Sequence, residues 1–312
     1  MRKTLSVAIC VIVSLVLLAI LTRYLRPHWI LATLHSLQFH AAAACVVAMA
    51  VALLIHRNLA SYALLLVALL LTAHPLWMAR EIAAEVTPAD QSAPTFRLMS
   101  FNILSENYEN AEGITRAILS SGADVVNIME GESLYEHLTQ IATVYPYRVG
   151  CGVLMEECDQ MMFSKTPIES ASVRSLSNIF DNRFIMGEVT VSGRKVHVVG
   201  IHTTKPYFDN FHTMELMNAA LAITATDGPL VLSGDFNASS LPPNMRMFLN
   251  STGLKTAAFE PPTWPVRARM LGLAIDHVYV RAPLKIKSLT RMPNTYGSNH
   301  AGLIADIAIT GP

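Results

Sequence analysis

The sequence predicts an α/β domain of two packed sheets with helices outside, preceded by three transmembrane helices. Three observations lead there. Apolar residues make up 52% of the 312 residues and gather in three long runs within 1–85, while 94–312 has the mixed composition of a water-facing domain. After residue 94, strand-like stretches outnumber helix-like ones and many adjoin through short turns, which suits stacked sheets better than a doubly wound parallel sheet. Polar residues close one apolar run after another, as they do where strand ends converge on a common site.

The first run, Thr4 to Thr22, carries no charge and is long enough to cross a bilayer at about 1.5 Å per residue. The second extends from Trp29 to Ile55 and the third from Leu59 to Ala79; both hold histidines (His35, His40, His74) but no Asp, Glu, Lys or Arg. Arg2-Lys3 would suit a signal peptide, yet the apolar core is long and no small-x-small cleavage site follows, so residues 1–85 are expected to be a membrane anchor. The histidines are given no role. With the N-terminus inside, Arg2, Lys3 and Arg57 face the cytoplasm and Arg23, Arg26 and Arg80 face out, so the positive-inside rule is balanced. An odd number of spans with a basic, internal N-terminus exports the remainder. The expected location is the cell inner membrane with a periplasmic soluble domain.

Val86 to Thr95 is rich in Pro, Ala and polar residues and reads as a linker (86–95) to a domain over 96–312. Residues 96–104 are β-like, and 109–121 is a helix candidate with Ala111, Ile114, Ile118 and Leu119 on one face. Residues 124–130 read as a buried strand and Ser133–Ala142 as a helix. Strand candidates follow at 145–149, 152–163, 168–174, 184–191 and 194–202. A helix is expected from Asn210 to Thr226, then strands at 229–235, 274–280, 284–290 and 302–309. Cys151 and Cys158 are the only cysteines outside the apolar runs; they either close a small disulfide loop or remain two thiols. No internal repeat is present. Residues 94–312 carry about 17 Lys and Arg against about 20 Asp and Glu, which weighs against tight binding of long nucleic acid.

The polar closures carry the chemistry. Asn102 ends the first strand, Glu130 the next, His202 a later one, and Asp235 and Asn237 follow Leu230-Val231-Leu232. Asp276 and His277 sit in AIDHVYV, and Ser298-Asn299-His300 precede the last strand. Carboxylates, carboxamides and histidines without a nucleophilic Ser or Cys motif suggest metal-assisted hydrolysis of a phosphate ester. Oxygen ligands favour Mg²⁺ or Mn²⁺.

In order, the stretches SFNIL, NIMEG, MMFSKTPIE, GIHTTKP, LSGDFNAS, PTWP, IDHVYV and YGSNHAGL resemble the endonuclease/exonuclease/phosphatase family, in its bacterial, membrane-anchored branch. The resemblance covers roughly 96–310 and implies a four-layer α/β sandwich. It implies that Glu130 binds the metal and that Asn102 supports metal and phosphate. It makes Asp235 the group that orients or deprotonates the attacking water, with Asn237 holding the phosphate and positioning Asp235. His300 would contact the phosphate oxygen, Asp276 would pair with His300, and His202 would lie by the scissile phosphate. Where most of the family has Ser-Asp-His, this chain has Ser298-Asn299-His300, so a usual metal-ligand carboxylate is replaced by a neutral amide.

The expected function is therefore a membrane-anchored, metal-dependent phosphoesterase acting on a small molecule, lipid or nucleic acid. The alternative, raised by Asn299, is a catalytically silent binding module using the same cleft. No protein partner is implied. Trp264 reads as a packing residue under a loop, and His277 as pointing to the strand face opposite Asp276. Arg183 and Lys205 are either phosphate contacts or ordinary surface cations, and Thr203-Thr204 reads as a strand end.

Overall fold

A computed structural model describes residues 1–25, 28–84 and 86–310. Arg26, counted above among the outward cations, and Pro312, the end of the expected domain, lie outside the described residues. The apolar runs become α1 (Arg2–Leu21), α2 (Ala32–Ser36), α3 (Gln38–Ile55) and α4 (Leu59–Ile82). Of these, α1, α3 and α4 are long and apolar enough to cross a membrane. They pack through Val13, Leu17, Ile20, Met49 and Leu71, and the fully buried Ala42, Ala52 and Ala68 let the helices approach closely.

The remaining chain forms β1 (Thr95–Asn102), α5 (Ala111–Ser120), β2 (Val125–Met129), α6 (Leu138–Ile141), β3 (Tyr147–Val149), β4 (Gln160–Ser164), β5 (Ile168–Arg174) and β6 (Phe184–Val191). There follow β7 (Arg194–His202), α7 (Phe211–Thr224), β8 (Leu230–Asp235), α8 (Pro243–Thr252), β9 (Asp276–Arg281), β10 (Leu284–Arg291) and β11 (Leu303–Ile309). One sheet has the order β10-β11-β1-β2-β4-β3 and the other β5-β6-β7-β8-β9. Only the β1–β2 and β7–β8 pairs are parallel among them.

Period-2 alternation explains the layering. Phe96, Leu98, Val125, Val198 and Val231 point between the sheets. Met99, Phe101 and Ile128 point the other way and pack under Ile114 and Ile118 of α5. On the second sheet, Leu230 and Leu232 meet Leu216 of α7 and Phe248 of α8. The result is helix, sheet, sheet, helix. Each such buried aliphatic side chain contributes about 1.5–3 kcal/mol of transfer free energy.

Several local expectations are corrected. The stretch 152–163 is not one strand: Cys151 and Cys158 are disulfide-bonded, and β4 starts only at Gln160. Left-handed backbone at Cys151 (φ 54°) and Leu154 (φ 63°) breaks extension there. The 133–142 helix is a 3₁₀ segment, Glu132–His137, continuing into the short α6. The second apolar run is not one helix: Trp29–Leu31 is a 3₁₀ turn, and α2 is separated from α3 at Leu37. No helix is expected from the sequence between 235 and 274, yet α8 begins at Pro243, a residue well tolerated in a first helical turn. The 86–95 segment holds a 3₁₀ turn, Pro88–Ser92, in which Asp90 accepts from Thr87 N at 2.6 Å and Lys285 Nζ at 2.8 Å.

Candidate active site

The inward-facing positions change character along the strands. Below lie Leu98, Val125 and Val231; above come Asn127, Ser233 and Gly200; at the strand ends sit Asn102, Asp235 and His202. Asn127 Nδ2 donates to Ser233 Oγ at 2.7 Å and to the Val199 carbonyl at 3.2 Å, so the two sheets are stitched directly beneath the site. Gly234 is required where β8 runs beside Ile201 of β7: a Cβ there would lie 1.8 Å from the Ile201 carbonyl oxygen.

Asn102 holds two carboxylates. Its Nδ2 donates to Glu130 Oε1 at 2.9 Å and to Asp235 Oδ2 at 3.0 Å, while its Oδ1 accepts from Leu104 N at 3.1 Å. Because both carboxylates are acceptors, it is the amide nitrogen that faces them. Asn102 thus braces the pair, and its carbonyl oxygen is directed at the backbone. Glu130 Oε2 accepts from Ser105 N at 2.8 Å and Ser105 Oγ at 3.1 Å. Burial works to raise the Glu130 carboxyl, but the Asn102 and Ser105 hydrogen bonds and the nearby His300 charge outweigh it and hold it below its ordinary range. Its backbone is left-handed (φ 57°), a strained setting for Glu that turns the side chain out of the strand.

Asp235 is buried at the end of β8. Burial and the Asp276 charge push it up to about 6, against the opposing charge of His300. Its Oδ1 accepts from Asn237 N at 2.8 Å, and Asn237, also left-handed (φ 50°), donates Nδ2 to the Thr203 carbonyl at 2.9 Å. His300 Nδ1 bonds Asp276 Oδ2 at 2.9 Å, and its Nε2 lies 3.8 Å from Asp235 Oδ2. Burial disfavours the imidazolium, but the Asp276 and Asp235 charges, the Asp276 hydrogen bond and Glu130 outweigh it and raise His300 to about 9. His202 Nε2 lies 3.7 Å from Asp235 Oδ2 and 4.0 Å from Glu130 Oε1. Burial and the charges of Arg183, His300 and Lys205 hold His202 well below its ordinary value, so it is neutral.

Asp235, Asp276 and His300 each place a possible ligand atom within 4.8 Å of one another. With His300 Nδ1 bonded to Asp276 Oδ2, the three also form a hydrogen-bonded acid–base set. Asn299 is exposed and lines the cavity over the site without a side-chain hydrogen bond among the described residues.

Seven of the sequence-derived residues, Asn102, Glu130, His202, Asp235, Asn237, Asn299 and His300, meet at one end of the sandwich, and Asp276 lies directly behind His300. His277 does face the other way, bonding Glu260 Oε1 at 2.5 Å and the Ala238 carbonyl at 2.9 Å. Arg183 lines the cavity but is paired with Asp159 at 2.5 Å and lies 3.7 Å over the Phe180 ring. Trp264 lines the cavity too. Sequence reasoning missed Ser105 and Ser298, whose Oγ donates to the Asn102 carbonyl at 2.8 Å and accepts from His300 N at 3.0 Å. It also missed Thr263, whose Oγ1 accepts from Asp276 N at 3.1 Å. Short hydroxyl side chains in loops give no periodic signal, although Ser298 stood inside the quoted SNH.

The model of the Endonuclease/Exonuclease/phosphatase family matches residues 99–300. Among solved structures, an endonuclease/exonuclease/phosphatase from Beutenbergia cavernae DSM 12333 is similar with TM-score 0.56 and 16% identity, over 70% of this chain and 72% of that one. Humanized D. rerio TDP2 is similar with TM-score 0.56 and 16% identity, over 68% and 98%. Beta toxin from Staphylococcus aureus is similar with TM-score 0.52 and 16% identity, over 67% and 99%. At these identities the structures show a shared fold. No curated protein matches the chain.

Proposed function

This chain belongs to the endonuclease/exonuclease/phosphatase family, and we propose that it is a membrane-anchored, divalent-metal-dependent phosphoesterase. Residues 1–85 are the anchor, 86–95 the connection and 96–312 the catalytic domain; with the N-terminus inside, that domain lies outside the cytoplasm. One observation carries the reading: Asn102 ties Glu130 to Asp235, and the Asp276–His300 pair sits 3.8 Å from that same Asp235.

Asp235 takes a proton from the attacking water, and its value of about 6 leaves it mostly ionised at neutral pH yet basic enough to accept. The water oxygen joins phosphorus, the ester P–O bond breaks, the leaving oxygen takes up a proton from solvent water, and Asp235 returns the proton it took to solvent. His300, kept charged by Asp276, donates toward a phosphate oxygen whose negative charge grows in the transition state. Asn237 fixes Asp235 and offers its amide to the phosphate, and neutral His202 flanks it. Glu130 and the Asn299 amide would hold Mg²⁺ or Mn²⁺, braced by Asn102. The fit rests on an ionised Glu130 that faces the cavity and on an all-oxygen donor set. When bound, the cation stabilises charge on the phosphate oxygens.

The test is release of nitrophenol from bis-nitrophenyl phosphate by the purified full chain with Mg²⁺ or Mn²⁺, beside Asp235→Asn. Wild-type turnover abolished in the variant is expected. No turnover by folded wild type with either metal would leave the silent binding module favoured by Asn299.

A further inference from the structure

The anchor does more than tether. The cavity over the site, about 730 Å³, is lined by Glu130, His202, Asp235 and His300, and on one side by Thr33 and Ser36 from the segment between α1 and α3. That segment is fixed there: Ser36 Oγ accepts from Ser239 N at 3.2 Å, and the Ser36 carbonyl accepts from Ser239 Oγ at 3.2 Å. Around it the same ends of the helices grip the domain. Arg23 Nη2 donates to the Leu241 carbonyl at 2.7 Å, Arg246 pairs with Glu81 at 2.5 Å, and Thr256 N donates to the Ile82 carbonyl at 2.8 Å. The mouth of the site therefore opens beside the domain-side ends of α1, α3 and α4, the level at which the proposed anchor would leave the membrane.

Another part of the rim is apolar. Ile179, Phe180, Tyr207 and Phe208 line the cavity and are exposed, Phe208 by 71%. Large exposed apolar side chains beside a membrane face suit the head-group and acyl boundary, where they are buried by lipid. Positive charge is sparse: Arg183 is neutralised by Asp159, which leaves Lys205 as the lining Lys or Arg without an ion pair among the described residues. A nucleic-acid track would need a run of such cations. A single phosphate group beneath an apolar collar needs only one.

Building on the phosphoesterase reading, we infer that the substrate is a phosphate ester in the head group of a membrane phospholipid. It is drawn from the leaflet on which the catalytic domain rests, with Thr33 and Ser36 forming the membrane-side wall of its binding site. Hydrolysis breaks the P–O bond to the glycerol oxygen, places the water hydroxyl on phosphorus and a proton on that glycerol oxygen, and so leaves diacylglycerol in the bilayer and the phosphorylated head group, or phosphate from phosphatidic acid, in water.

The experiment uses the full chain with Mg²⁺ or Mn²⁺, reconstituted into vesicles of phosphatidylethanolamine, phosphatidylglycerol or phosphatidic acid. Released water-soluble phosphate or phosphorylated head group is measured beside hydrolysis of bis-nitrophenyl phosphate and of an oligonucleotide. Lipid hydrolysis is expected, faster than that of the oligonucleotide. In Thr33→Trp, which fills the membrane-side wall, and Phe208→Asp, which charges the exposed rim, the ratio of lipid to soluble-ester rate should fall roughly tenfold, about 1.4 kcal/mol. Soluble-ester turnover with no lipid hydrolysis, preference for the oligonucleotide, or an unchanged ratio in both variants would overturn the inference and leave the phosphoesterase reading standing. No turnover of any substrate would remove both.

Discussion

His212 lies behind the site and should make the fold acid-sensitive. It is buried on α7, with Nε2 donating to the Phe236 carbonyl at 2.9 Å and Nδ1 accepting from Asn244 Nδ2 at 2.9 Å. Both ring nitrogens are thus satisfied only in the neutral form. Burial, partly offset by the Phe236 hydrogen bond, lowers its pKa to about 4 from 6.5. Between those values the unfolded chain holds a proton that the folded chain does not, so acid favours unfolding. The contribution is complete above about pH 6.5 and is lost as pH falls toward about 4. A gap of about 2.5 units at about 1.4 kcal/mol per unit gives about 3 kcal/mol. His212→Gln keeps a donor for the Phe236 carbonyl but cannot titrate. It should cost about 1 kcal/mol near pH 7.5 through the lost Asn244 contact and then lose less stability on acidification than wild type. Urea unfolding of the full chain in detergent, read by pulse proteolysis from about pH 7.5 to about pH 4.5, measures both curves. Parallel curves would refute the argument, because every other titrating group is common to the two proteins.

Two further outcomes follow from the site. Asp276→Ala and His300→Ala should each remove most of the hydrolytic rate and their combination little more, since the pair acts as a unit; fully additive losses in kcat/KM would separate them. Asn299→Asp, which adds a carboxylate at the cavity, should shift Mg²⁺ activation to lower concentration, and Glu130→Gln should shift it higher or abolish it; an unchanged midpoint in folded Asn299→Asp would place that side chain away from the metal.

What the sequence made legible was whatever repeats or alternates. In the strands at 184–191 and 194–202 apolar residues recur at alternate positions, Ile185, Val189 and Val191 in one and Val196 and Val198 in the other facing between the sheets, and both match the structure to the residue. The polar strand ends were legible for the same reason: Asn102 and Asp235 continue the inward register of Leu98 and Val231. Where local backbone overrode the pattern, reading failed. The run after Gly152 is apolar enough for a strand, yet Leu154 is left-handed and the Cys151–Cys158 bond folds the segment into a loop. The anchor contact was invisible for another reason. Ser36 and Ser239 are 203 residues apart, and neither stands out in its own neighbourhood.

The parallel pairs decide which way the site faces. In β1–β2 and β7–β8 the chain runs toward the same end of the sandwich, so Asn102, Glu130, His202 and Asp235 all emerge there. The antiparallel β9 and β11 contribute from their starts: Asp276 opens β9, and His300 precedes β11. The chain leaving β8 must then turn within a few residues, and that turn, Ala238 to Pro243, is what lies on Ser36 and on Arg23. Asp235, proposed above to activate water, and the turn that lies on Ser36 are consecutive parts of one strand exit. The end of the sandwich at which the proposed site opens is therefore set by the sheet topology, and loop sequence decides what its mouth is lined with.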